Sequence, residues 1–184
     1  MISDKKEFYE FLMADKKALK RLTRKPKSTD LIWKYEILLR KCEYYNNCKK
    51  GLINKIILYY YRWNKHKIGI KCNFSIPLNV FDSGLSIAHI GPIIINSGAK
   101  IGKNCRIHVG VNIGTEAGKE SEAPTIGDNV YIGPGAKLFG KIKIGNNVAI
   151  GANAVVNKSF EEDNISIAGV PAKKISNKGS KGLL

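Results

Sequence analysis

Three histidines and four cysteines are the side chains of this sequence best suited to chemistry near neutral pH. An imidazole titrates near ~6.5, so it can take a proton from an attacking hydroxyl and return it to a leaving group. The cysteines, Cys42, Cys48, Cys72 and Cys105, form no C-x-x-C pair and no pairing scheme, which argues for free thiols over a zinc ribbon or a disulfide scaffold. Cys105 fills a slot that sibling segments give to Ala or Val, so it reads as packing and not as a nucleophile. Without an H-x4-H pair a carbonic-anhydrase-like metal site has no local support, and no metal is expected. His66, between Lys65 and Lys67, reads as charged surface. His89 and His108 remain, and what they can do depends on the elements that hold them.

Those elements follow from a repeat. Ile95, Ile101, Ile107 and Ile113 are six residues apart, and after an interruption Ile126, Ile132, Leu138, Ile144, Ile150 and Val156 resume the spacing. The next residue is usually glycine, and the third after the aliphatic one is often Asn or Gly (Asn104, Gly110, Asn129, Gly135, Asn147, Asn153), types that tolerate positive φ. Six residues advance an α-helix by about one and two-thirds turns, so no single helix face carries this pattern. Short strands that turn on Gly or Asn do carry it, three per coil, with successive coils about 4.8 Å apart. The spacing predicts a mainly β protein built as a parallel β-helix of hexapeptide repeats.

Violations of such a repeat are where function is expected, since irregularity costs stability. Phe81 to Ile87 is six residues but Ile87 to Ile95 is eight, and the extra pair falls in Ala88-His89-Ile90-Gly91-Pro92. A bulge lifting His89 from a regular wall suits acid–base work; a capping histidine satisfied by a backbone carbonyl is the alternative. His108 occupies a slot usually filled by glycine, and is either a second site residue or a solvated side chain. The second violation is a polar excursion over residues 115–125.

Residues 1–66 have apolar positions at three- and four-residue spacing, predicting helices over Lys5 to Leu22, Asp30 to Tyr45 and Leu52 to Trp63. The β-helix is expected over 67–172 and a mobile polar tail over 173–184. The chain, 184 residues with net charge +16, concentrates its excess in residues 1–72, with 19 basic and 7 acidic side chains. No run reaches the ~20 apolar residues of a membrane span and the start has no apolar signal stretch, so a cytoplasmic protein is expected.

The stretch 86–173 resembles the hexapeptide-repeat acyltransferases, in the branch of the serine acetyltransferases and the O-acetyltransferases of capsular polysaccharides. The bulged histidine, the loop before Pro124-Thr125-Ile126-Gly127, the run Ile150-Gly151-Ala152-Asn153-Ala154-Val155-Val156 and the closing Ala168-Gly169-Val170-Pro171-Ala172-Lys173 carry the likeness. The resemblance implies a left-handed β-helix, a homotrimer with sites between subunits, and acetyl-CoA as donor. It makes His89 the general base, places Gly114-Thr115 near the oxyanion, and puts Gly133-Pro134 and Gly151-Ala152 beside the pantetheine arm. Lys173 either faces the CoA phosphates or is a solvated tail lysine.

The departures concern the acceptor. An aspartate that orients the base in serine acetyltransferases falls at Phe74, another at Ala88, and an Arg-His pair of the amino-acid site at Glu122-Ala123. Loss of the cationic pair favours a saccharide acceptor in surface polysaccharide synthesis over serine, with a serine O-acetyltransferase of cysteine biosynthesis and a non-catalytic trimeric scaffold as alternatives. Asp82 is the nearest acidic candidate in sequence to orient His89. The basic, tyrosine-rich N-terminal region reads first as helices packed under the trimer, then as a cationic face for peripheral association with the inner face of the membrane. Nucleic-acid binding is not expected, because no nucleic-acid fold accompanies the charge.

Overall fold

A computed structural model describes residues 1–119 and 122–184; within the 115–125 excursion, Glu120 and Ser121 lie outside the described residues. From Phe74 onward the chain winds through five coils whose short strands stack into three faces. Face A holds Phe74–Ser75, Ile93–Ile95, Asn112–Gly114, Lys137–Phe139 and Val155–Val156. Face B holds Lys100–Ile101, Thr125–Ile126 and Lys143–Ile144, extended by bridges to Phe81 and Phe160. Face C holds Ser86–Ile87, Arg106–Ile107, Tyr131–Ile132, Ala149–Ile150 and Ser166–Gly169, all parallel, and an antiparallel last strand, Ala172–Ser176. The coils form a left-handed β-helix.

The six-residue spacing places one aliphatic side chain per face inside the prism. Ile107, Ile113, Ile132, Ile150 and Val156 are fully enclosed, and each such side chain contributes about 1.5–3 kcal/mol. Cys105 lies in the same interior, where burial pushes its thiol pKa up to about 12, so it stays a packed thiol. The corner between faces B and C is turned by Asn104, Asn129, Asn147 and Asn164, all with φ between 55° and 60°. Their side-chain amides hydrogen-bond in series at 2.9, 2.9 and 3.1 Å. The asparagines at the corner therefore both permit the turn and tie each coil to the next.

Three helices close the top: α1 (Lys5–Ala18), α2 (Leu31–Cys48) and α3 (Leu52–Cys72). Asp4 and Asp30 cap the first two, their carboxylates accepting the N–H groups of Glu7 and Trp33. The third outruns the expected Trp63 by nine residues, because Ile68 and Cys72 keep its inner face on the core beyond the Lys65-His66-Lys67 run. Asn73, at φ 58°, ends it directly into the first coil. None of the helices, among the described residues, is long and apolar enough to cross a membrane.

A first coil has no neighbour above it, so its outer main-chain groups would be an unpaired sheet edge. Buried charges from the helices meet them. Asp15 accepts the N–H groups of Gly84 and Leu85 at 2.8 and 2.9 Å. Glu36 accepts that of Ile87 at 3.1 Å, and Glu43 that of Asn79 at 2.8 Å. Arg40 donates to the Phe81 and Asp82 carbonyls at 2.8 and 2.7 Å and ion-pairs with Asp15 and Glu43 at 2.7 and 2.9 Å.

The C-terminal segment, expected as a mobile tail over 173–184, is tied to the coils. After the strand Ala172–Ser176, Ser180 is buried, its N–H donates to the Asn147 carbonyl and its hydroxyl to that of Asn129. Lys20 donates to the Leu184 carbonyl at 3.1 Å.

Candidate active site on one edge of the prism

The site starts from the eight-residue interval between Ile87 and Ile95, whose two extra residues fall at the corner between faces C and A. Gly91 closes the turn at φ 148°, its N–H donating to the Cys72 carbonyl. A Cβ on Gly91 would stand 2.2 Å from Val109 Cγ2, so only glycine fits. The residues ahead of it are displaced outward, and His89 is exposed.

The face C ladder continues past its strands to align what lies below. Ala88, His108 and Gly133 donate to the Ile107, Ile132 and Ile150 carbonyls, and Gly151 to that of Ile167. Ala88, His108, Gly133 and Gly151 therefore stack at one position, and His89, Val109, Pro134 and Ala152 at the next. Of the sequence-predicted residues, His89, His108, Gly133, Pro134, Gly151 and Ala152 share this single edge. The two glycines answer to stacking as well as to any ligand: a Cβ on Gly133 would lie 2.8 Å from Ala152 N, and one on Gly151 2.8 Å from Ala168 Cβ.

His108 brings a second imidazole to the edge. Its ring centroid is 5.9 Å from that of His89 and 5.0 Å from that of Tyr131, and its Nε2 is buried without a hydrogen-bond partner among the described residues. Burial first, then the nearby Arg106 and His89 charges, lower the His108 pKa, favouring the neutral ring. Tyr131, which the six-residue pattern does not single out, stands beside this edge; its signal in the sequence is a large aromatic side chain at an outward position of face C.

The other expected residues lie elsewhere. Asp82 does not orient His89: it stands at the B–C corner, its Oδ1 accepts the Ser83 N–H at 2.6 Å and its carbonyl accepts Arg40. Face C separates the two. Gly114 and Thr115 lie at the A–B corner, where the 115–125 excursion leaves the coils with a Lys119–Glu116 ion pair at 2.9 Å. Lys173 is exposed beside Ala168, in the last coil below the histidines. Phe74 is buried edge-on to Tyr35, ring centroids 5.1 Å apart, which leaves no polar group there to face an acceptor. Among the described residues, no group of three or more His, Cys, Asp or Glu side chains is gathered in a way that could hold a metal ion.

Residues 123–158 match the family described as bacterial transferase hexapeptide (six repeats). A serine acetyltransferase of Buchnera aphidicola is 34% identical over 136 residues, 66% of this chain and 49% of that protein. A serine acetyltransferase of Staphylococcus aureus is 41% identical over 97 residues, 52% of this chain and 45% of that protein. The chain thus spans less than half the length of these curated relatives. The crystal structure of serine acetyltransferase from Brucella abortus superposes with a TM-score of 0.68 at 25% identity, covering 96% of this chain and 72% of that one. The same enzyme in complex with coenzyme A gives 0.70 at 25% identity, covering 95% and 70%. The chain carries hexapeptide repeats on a left-handed β-helix and is similar in sequence and fold to serine acetyltransferases.

Proposed function

We propose that the protein transfers an acetyl group from acetyl-CoA to a hydroxyl, as a serine-acetyltransferase-type O-acetyltransferase. The observation that carries this reading is the single edge on which the exposed His89 heads a column that runs through Val109 to the small residues Pro134 and Ala152. His89 takes the proton of the acceptor hydroxyl as its oxygen attacks the thioester carbonyl; the tetrahedral intermediate collapses, the C–S bond breaks, and the imidazolium returns the proton to the thiolate. The products are the acetyl ester and CoA, with no covalent enzyme intermediate.

Small residues along the edge leave room for the pantetheine arm beside Gly133-Pro134 and Gly151-Ala152. Coils stacked at about 4.8 Å carry that arm toward Lys173, whose ammonium suits the CoA phosphates. The N–H groups at Gly114-Thr115 are donors for the oxyanion. They stand at a different corner from His89, so a site using both is assembled between protomers of a homotrimer.

Serine is the acceptor favoured by relationship, since the relatives above are named for it. A saccharide hydroxyl is the second reading, favoured by one observation: Glu122 and Ala123 supply no cation for a substrate carboxylate, and Phe74 and Ala88 no carboxylate for His89.

The test is CoA release followed with a thiol reagent, with serine and with saccharides in turn. Turnover with serine upholds the first acceptor, turnover with a saccharide alone the second. His89→Ala is expected to lower kcat about 10²–10⁴-fold without unfolding the protein. Full activity in that variant removes the proposed base, and failure to bind acetyl-CoA removes the reaction in favour of a trimeric scaffold.

A further inference from the structure

The outer side of α3 is the largest feature of the molecule that the proposed reaction does not use. Its inner side is spoken for: Tyr61 packs on Tyr45 of α2, ring centroids 5.3 Å apart, while Cys72 enters the core and Ile68 packs against it. On the opposite side Leu52, Ile56, Tyr59, Trp63 and Ile70 follow one another at intervals of four, three, four and seven residues, a single stripe along the helix. Each is between 50% and 75% exposed. A soluble surface scatters such residues singly, whereas a continuous stripe marks a surface that meets something.

The charges beside the stripe say what. The 21 residues of α3 contain five basic side chains and no acidic one. Lys55 and Arg62 flank one border of the stripe, Lys67 and Lys71 the other, and Lys67 Nζ lies over the Trp63 ring at 5.0 Å. An apolar stripe with Trp and Tyr, bordered by cations, is complementary to a bilayer surface, with rings at the headgroup level and ammonium groups on the phosphates. A second copy meeting α3 with α3 would face the same cations with no carboxylate from either helix.

We infer that α3 is a docking surface for an anionic phospholipid membrane, with the helix lying in the interface and Ile56 and Trp63 entering it. The inference is independent of the acetyl-transfer reading, and its test needs no activity.

The full chain is sedimented with vesicles of phosphatidylcholine alone and of phosphatidylcholine with phosphatidylglycerol. Binding is expected only to the second, with loss as salt is raised. Emission from Trp63 shifts to the blue on binding; Trp33, the only other tryptophan, is buried and reports that the fold persists. Ile56→Ser with Trp63→Ala lowers vesicle partitioning at least about tenfold. Lys55→Gln, Lys67→Gln and Lys71→Gln each lower it about fivefold. Absence of binding, equal binding to both vesicles, or unchanged binding by the Ile56/Trp63 variant overturns the inference. A smaller particle for that variant in sedimentation velocity also overturns it, by giving the stripe to a second copy.

Discussion

The helical cap and the stacked coils solve the same problem, main-chain groups that must not be left unpaired, by opposite means. Within the coils the strand N–H groups donate to carbonyls of the neighbouring turn, and the buried interior positions described are apolar; Ile107, Ile132 and Ile150 are repeated units. At the top the repeat runs out, and four buried ionised or ionisable side chains, Asp15, Glu36, Arg40 and Glu43, take the place of the missing turn. Redundancy protects the first arrangement. The second depends on single residues, and Arg40 and Asp15 each join α1, α2 and the first coil.

That contrast ranks the consequences of substitution. Arg40→Met leaves Asp15 and Glu43 buried without their cation and the Phe81 and Asp82 carbonyls without a donor, so a loss of about 3–5 kcal/mol is expected in denaturant unfolding. A loss below 1 kcal/mol would mean that the cap is ornamental to the stability of the coils. Gly133→Ala probes the coils themselves. Its Cβ would meet backbone atoms of the coil beneath at 2.8 Å, and the expected cost is about 1–3 kcal/mol, absorbed by a local shift of one turn.

The cap also gives stability a pH dependence that the charge-free coil interior lacks. Burial, then the neighbouring Asp15 charge, raise the Glu36 pKa well above its ordinary value, and Glu36 Oε2 is buried with no hydrogen-bond partner among the described residues. The unfolded chain ionises this group near ~4.3. Its favourable contribution is therefore complete below that pH and is lost as pH rises toward the raised folded value, where unfolding releases a proton that the folded state holds. Glu36→Gln keeps the acceptor for Ile87 N–H and removes the titration. Thermal or denaturant unfolding followed across pH should show a slope of up to about 1.4 kcal/mol per pH unit in the native chain that is absent in the variant, which is the more stable near pH 7.

The same contrast explains what the sequence could disclose. The coils were legible because a six-residue period is local, and so was His89, which two surplus residues push out of register. The cap was not legible: Asp15, Glu36, Arg40 and Glu43 converge only once three helices have packed, and each looks in the sequence like a surface charge on a helix. Asp82 failed as a partner for His89 for a related reason, since seven residues of a triangular coil carry the chain across a whole face. The extent of α3 was hidden by the Lys65-His66-Lys67 run, in which Lys67 projects outward but Lys65 turns inward to donate to the Ile76 carbonyl, while Ile68 and Cys72 stay on the core.

The smallest expected effect concerns the edge where the repeat admits polar chemistry. The His89 and His108 ring centroids are 5.9 Å apart, and the His89 charge is among the causes that lower the His108 pKa, after burial and Arg106. Removing His89 as His89→Ala should therefore raise the His108 midpoint toward the ordinary imidazole range, by less than the full displacement, since burial and Arg106 remain. Three histidines make the ring-proton NMR spectrum simple enough to follow each one across pH. Identical His108 midpoints with and without His89 would mean that the rings titrate independently. His108 would then join the coils as a tolerated replacement for glycine, and the acid–base chemistry of the edge would rest on His89 alone.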